Sequence, residues 1–204
     1  MDQFAFYINT DICIGCKACM TACFDRNNLE VPQKFRKVWE FSGSLWDEDD
    51  NGIYQSTAFA YYVSMTCNQC EVAVCVINCP SGAMQKDPDT GIVNNDKSLC
   101  DGCMTCQEVC PYDHPVKFKD GLAHKCVLCT DQNASHLPDP ACWGACPVRA
   151  LDFGPIESLR AKYGVVSTIG TLEDSTSPNV VIGVHRDAIK GGTLANPLEV
   201  GYVD

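Results

Sequence analysis

Sixteen cysteines carry the chemistry in this 204-residue chain, and they fall into four groups of four with none left over. Cys13, Cys16, Cys19 and Cys23 lie in CIGCKACMTAC, spaced C-x2-C-x2-C-x3-C. Cys67, Cys70, Cys75 and Cys79 lie in CNQCEVAVCVINCP, where the middle gap widens to four residues and a proline follows. Cys100, Cys103, Cys106 and Cys110 repeat the first spacing in CDGCMTCQEVCP, again with a proline after the last. Cys126, Cys129, Cys142 and Cys146 have twelve residues between their second and third members, and Pro147 follows. Thiols at this density serve disulfides, structural zinc or iron-sulfur ligation.

Spacing separates the three. Disulfides between cysteines two or three residues apart would close small, strained rings. Zinc takes four ligands, typically as two separated C-x2-C pairs, so it accounts for the fourth group in isolation but not for the triplets of the first and third. The run C-x2-C-x2-C-x3-C-P is the spacing of bacterial [4Fe-4S] ferredoxins, in which three thiolates grip one cubane and the fourth ligates the neighbouring one. The third group matches in full, the first has Phe24 in place of proline, and the second and fourth are the same pattern with an insertion.

Runs that exchange their fourth cysteine must come in pairs. Twenty residues separate Cys79 from Cys100, with a DPDTG turn before a short Ile92-Val93 strand, so the second and third groups pair, and by elimination the first pairs with the fourth. An internal repeat supports the nesting: NTDICIGCKACMTAC from Asn9 resembles NDKSLCDGCMTCQEVC from Asn95, and CPSGAM from Cys79 is echoed by CPVRAL from Cys146. Four [4Fe-4S] clusters are expected. Their ligand sets are Cys13, Cys16, Cys19 and Cys146; Cys126, Cys129, Cys142 and Cys23; Cys67, Cys70, Cys75 and Cys110; and Cys100, Cys103, Cys106 and Cys79.

The elements that must position these groups give an α+β fold of two ferredoxin-like double-cluster modules, one nested in the other. The outer module takes residues 1–24 and 119–154 and the inner one 66–118, with a β-hairpin insertion at 25–65 and a C-terminal helix and extended arm at 155–204. In the hairpin, KFRKVWEF puts Phe35, Lys37, Trp39 and Phe41 on one strand face, DEDDNG turns, and YQSTAFAYYVSM returns. The turn reads as a solvated tip, and Trp39, Trp46, Tyr61 and Tyr62 as packing residues. GPIESLRAKYG forms a helix begun at Pro155 and stopped at Gly164. The Gly-, Thr-, Ser- and Pro-rich remainder reads as a loose terminus or an arm ordered against another subunit, with the arm favoured.

Lys17, Lys125 and Arg149 stand beside cysteines, either as solvated charges or as groups that favour the reduced, more negative cluster. His114, His124, His136 and His185 are isolated and superfluous as ligands when each cubane has four thiolates. No Ser-His-Asp set, G-x-G-x-x-G loop or paired carboxylates suggest a catalytic centre, so the chain is read as a wire without a direct small-molecule substrate. Fifteen Lys and Arg against 26 Asp and Glu give a net charge of -11, which repels nucleic-acid phosphates. No apolar stretch spans a bilayer, and the run Phe4–Ile8 is too short for the core of a signal peptide.

The order of the groups, together with NGIYQSTAFAYYVSMTCNQC, CPSGAM, RALDFGPIESLR and LANPLEV, resembles the four-cluster electron-transfer subunits of dimethyl sulfoxide reductase-type molybdopterin oxidoreductases across essentially the whole chain. The resemblance implies a non-catalytic subunit relaying single electrons between a quinol-oxidising membrane anchor and a molybdopterin-containing catalytic subunit. The cluster of Cys13, Cys16, Cys19 and Cys146 would lie nearest the catalytic subunit, and that of Cys100, Cys103, Cys106 and Cys79 nearest the membrane. Nitrate reductase relatives have an aromatic residue where Cys103 stands, giving a three-iron cluster, so Cys103 implies a four-iron centre here. S-oxide or N-oxide reduction is the implied reaction of the complex, with sulfur or arsenic oxyanion reduction and catechol dehydroxylation as alternatives. A free-standing polyferredoxin is the alternative of another class. The implied location is a peripheral membrane-associated complex, on the extracytoplasmic or the cytoplasmic face.

Overall fold

The computed structural model describes residues 3–43, 46–130, 139–167, 175–188 and 192–200. In chain order it contains β1 (Phe4–Asn9), α1 (Ala18–Arg26), β2 (Arg36–Gly43), β3 (Trp46–Glu48), β4 (Tyr54–Ser56), β5 (Phe59–Thr66), α2 (Val74–Ile77), β6 (Met84–Lys86), β7 (Val93–Asn95) and α3 (Thr105–Glu108). There follow β8 (Val116–Lys117), β9 (Ala123–His124), α4 (Ala141–Gly144), β10 (Leu151–Pro155), α5 (Ile156–Tyr163), β11 (Val180–Gly183), β12 (Thr193–Leu194) and α6 (Pro197–Val200). Two three-stranded sheets, ordered β10-β1-β11 and β12-β2-β5, hold most of the core, and three two-stranded ribbons complete the strand pairing.

The expected hairpin forms from β2 and β5, registered from Arg36 opposite Thr66 to Gly43 opposite Phe59. Beyond it β3 and β4 carry the acidic turn, whose Asp49 carboxylate accepts the backbone N–H groups of Asn51 and Ile53, and residues 46–58 are exposed. Two expectations need correction. Trp46 is 67% exposed rather than packed, because its ribbon projects past the sheet. The buried positions of β2 do not alternate either: Arg36 and Val38 are as buried as Lys37, Trp39 and Phe41. The strand is central in its sheet, and both its faces are covered.

The C-terminal region departs furthest from expectation. The tail, whose composition promised no core of its own, completes with its described residues both large sheets of its own chain. Strand β11 runs parallel to β1, with Phe6 opposite Val180 and Ile8 opposite Ile182, and Val180, Val181 and Ile182 are buried. Strand β12 pairs antiparallel with β2, and the Asn196 side chain bridges the Val38 carbonyl (2.9 Å) and the Glu40 N–H (2.9 Å). The physical reason is the free edge of β1: only one side is met by β10, and the apolar NVVIGV run satisfies the other. Ile182→Ala is therefore expected to lower stability by about 2–5 kcal/mol, seen as a shift of the denaturation midpoint of the cluster-loaded chain. A change within about 0.5 kcal/mol would mean that this strand lies outside the cooperative core.

Helix α5 forms as expected, with Pro155 at its N-cap and Gly164 (φ 98°) closing it. It buries Ile156 and Leu159 against Ala5 and Val181, and Tyr163 stacks on Tyr7 at 3.6 Å between ring centroids. Among the described residues no helix is long and apolar enough to cross a membrane.

Candidate metal centres

The first C-x2-C loop of each of the four groups shares one backbone device. The residue before the second cysteine has a left-handed conformation: Gly15 (φ 65°), Gln69 (φ 47°), Gly102 (φ 73°) and Leu128 (φ 58°). Such a residue folds the loop back and turns successive N–H groups towards one concave side. At Gly102 a side chain is also excluded sterically, since a Cβ would lie 2.1 Å from the Gly121 carbonyl oxygen. Gln69 and Leu128 accept this uncommon backbone because both are fully buried in the surrounding packing. Gln69 donates to the Cys126 carbonyl (2.9 Å), while its amide oxygen accepts the Val93 N–H (2.8 Å).

The repeat continues past the loops. Lys17 (φ 62°) and Met104 (φ 65°), one residue after Cys16 and Cys103, are the left-handed N-caps of α1 and α3. Gly82 (φ 68°) and Arg149 (φ 54°) occupy equivalent places in CPSGAM and CPVRAL. Helix α1, which carries Cys19 and Cys23, packs against α4 with Cys142; α2, with Cys75, packs against α3, with Cys106.

Each set of thiols that act on one another draws members from two runs. Burial raises the Cys13 thiol, and Cys19, Cys146 and Cys16 add to the rise; these four residues line one small cavity. Cys23 is pushed up by burial and then by Cys126, Cys142 and Cys129, with no thiol of its own run among its main influences. Burial takes Cys75 up to about 12, with contributions from Cys67, Cys110 and Cys70. Cys106 rises to about 11 through burial and the nearby Cys79, Cys100 and Cys103.

Hydrogen bonds point at these sulfurs. The Ala150 N–H donates to Cys146 Sγ (3.2 Å), Met84 N–H to Cys79 Sγ (3.4 Å) and Leu128 N–H to Cys126 Sγ (3.4 Å), and Ser64 Oγ lies 3.2 Å from Cys19 Sγ. At Cys79 burial would raise the thiol, yet hydrogen bonds led by that from Met84 outweigh it and the thiol is lowered. Cys100 is lowered in the same way, chiefly by the Asn95 side chain against its burial. Buried thiols crowded together are poor anions on their own, and a cationic iron core removes that penalty. An all-sulfur donor set with N–H groups aimed at it suits a cubane.

The flanking cations divide. Lys17 pairs with Glu199 (2.6 Å), and Arg149 donates to the Gly144 carbonyl (3.1 Å). Lys125 is buried, donating to the Cys126 carbonyl (2.8 Å) and the Val93 carbonyl, and its charge partly opposes the rise of the Cys75 thiol. His124 pairs with Asp120 (2.8 Å) and His185 lies 3.8 Å from Asp11. His114 is held neutral by burial and by Lys37, Lys125 and Arg36; His136 lies outside the described residues. Sequence reasoning missed Arg36 and Gln69. Both sit in strand or loop segments whose residue types signal nothing without their long-range contacts.

Comparison with known proteins agrees with this chemistry. Residues 58–156 match the 4Fe-4S dicluster domain family and residues 6–25 the 4Fe-4S binding domain family. The B subunit of the anaerobic dimethyl sulfoxide reductase of Haemophilus influenzae is 40% identical over 207 aligned positions, covering 98% of this chain and 100% of that protein. Its counterpart in Escherichia coli is 41% identical, covering 97% of this chain and 98% of that protein. A protein NrfC homolog of Haemophilus influenzae is 37% identical over 87% of this chain and 78% of its own length. Near full-length identity at this level, in a sequence whose sixteen cysteines come in groups of four, makes the chain a member of the family of anaerobic dimethyl sulfoxide reductase B subunits, the iron-sulfur, electron-transfer subunits.

Proposed function

We propose that the chain holds four [4Fe-4S] clusters and relays single electrons through them to a molybdopterin-containing catalytic subunit. Cys13, Cys16, Cys19 and Cys146 hold the first; Cys126, Cys129, Cys142 and Cys23 the second; Cys67, Cys70, Cys75 and Cys110 the third; and Cys100, Cys103, Cys106 and Cys79 the fourth. The observation that supports these sets is the company of the fourth thiol of a run, since Cys23 neighbours Cys126, Cys129 and Cys142. The packing of α1 on α4 and of α2 on α3 supports an inner module, 66–118, nested in an outer one, 1–24 with 119–154.

The clusters supply reversible one-electron chemistry when bound, and the chain's own residues do the rest. The left-handed loops hold the thiols, N–H donors stabilise charge on sulfur, and the apolar core keeps water from the interior. The chain itself is non-catalytic. By its near full-length identity to the reductase B subunits, the partner reduces an S-oxide or N-oxide, and a quinol-oxidising anchor feeds the end marked by Cys103, at a membrane surface. Purification of the native complex tests this: about sixteen irons per chain and a molybdenum-bearing partner are expected, whereas stoichiometric zinc or a solitary polyferredoxin would overturn it.

A further inference from the structure

Arg36 opens β2 and is 1% exposed, the largest fully buried side chain among the described residues. Its Nη1 donates to the Ser64 carbonyl (2.7 Å) and to Ser64 Oγ (3.0 Å), and its Cζ lies 4.4 Å from the centre of the Phe6 ring. Nε and Nη2 find no regular hydrogen-bond partner, and among the described residues no Asp or Glu forms an ion pair with it. A guanidinium sealed from water without a carboxylate is strongly unfavourable unless other anions face it.

The candidates are sulfurs. The guanidinium is charged at any physiological pH; Cys23 lines the same cavity as Arg36, helix α1 packs on β2 and on α4, and Cys142, Cys19, Cys126 and Cys23 are the sulfurs that act on it most strongly. Ser64, which fixes the guanidinium, also lies 3.2 Å from Cys19 Sγ. Cys19 belongs to one proposed cluster and Cys23, Cys126 and Cys142 to another. One fixed positive charge therefore faces two ligand sets, both carried in part by the packed pair α1 and α4.

We propose that Arg36 is a shared positioning residue whose buried charge raises the reduction potential of two of the four clusters, those of Cys13, Cys16, Cys19 and Cys146 and of Cys126, Cys129, Cys142 and Cys23. The inference rests on the cluster reading above. Reduction adds one negative charge to a cubane, so a cation held nearby in a low-dielectric interior stabilises the reduced state more than the oxidised one. The thiols that act most strongly on Arg36 belong to these two sets, so its effect is expected at those two clusters.

Potentiometric titration of the native complex followed by electron paramagnetic resonance tests this with Arg36→Gln and Arg36→Lys, alongside iron analysis. In Arg36→Gln two centres are expected to become harder to reduce, their reduced-to-oxidised ratio at a set potential falling about tenfold, or 59 mV for a one-electron couple, with the other two unmoved. The affected pair are the centres abolished by Cys13→Ala and by Cys126→Ala, and Arg36→Lys should retain most of the wild-type ratio. Loss of those two clusters in Arg36→Gln but not in Arg36→Lys also supports the inference, since charge separates the two variants. Unchanged potentials with all iron bound, a uniform shift of all four centres, or equal cluster loss in both variants would overturn it. A wild-type complex without four clusters would instead sink the cluster reading.

Discussion

Cys23→Ala combined with Cys126→Ala is expected to lose no more iron than either single variant, about four of sixteen atoms per chain. Cys23→Ala combined with Cys13→Ala should lose about eight. The design uses non-additivity: substitutions in one shared site do not sum, whereas those in independent sites do. If each run of cysteines closed on its own cluster, the result would reverse, because Cys13 and Cys23 would then share a site. The expected outcome follows from the neighbours of Cys23, which are Cys126, Cys142 and Cys129 and which lie more than a hundred residues away in sequence. Ala is preferred to Ser because a hydroxyl can replace a thiolate as a ligand. Iron analysis with spin quantitation in the full complex reads the result.

Removing the iron is expected to abolish the cooperative fold rather than leave an empty scaffold. Cys19, Cys142 and Cys146 belong to the same apolar cluster as Phe6, Ile8, Val38 and Leu151, and Cys106 to a second cluster with Met84, Val93 and Ala123. The hydrophobic core and the candidate metal centres are therefore one body. The connecting elements are short: α2, α3 and α4 have four residues each, far below the length at which a helix holds itself together. Structural metal binding supplies on the order of 10 kcal/mol where the unfolded chain has no preformed site, comparable with the whole stability of a domain. Chelation under anaerobic conditions should thus remove the cooperative thermal transition in circular dichroism and deprotect β1 and β5 to hydrogen exchange. A melting temperature within a few degrees of the loaded protein would show that the fold stands without its metal.

Much of the chain was legible because its signals are local. The hairpin of β2 and β5, the turn at Asp87–Gly91 between β6 and β7, and the helix between Pro155 and Gly164 each follow from alternation, turn chemistry or caps in nearby sequence. Family membership was legible for the same reason, since the cysteine spacings and the segments around them are fixed in the linear order of residues. Trp46 was misjudged because an aromatic residue in an alternating run looks the same whether its strand is covered or projects into water.

The amino-acid sequence alone thus determined the donor chemistry, the pairing of strands close in sequence, and the relay role that follows from thiols grouped in fours. Only the tertiary structure decided that the C-terminal segment completes both large sheets, that Gln69 ties the Cys67 loop to the carbonyl of Cys126, and that Arg36 lies sealed on Ser64, itself 3.2 Å from Cys19 Sγ. The reason is physical. A cysteine run encodes its geometry in its own spacing, whereas a β-branched run, a glutamine or an arginine acquires a role only from what long-range packing sets against it.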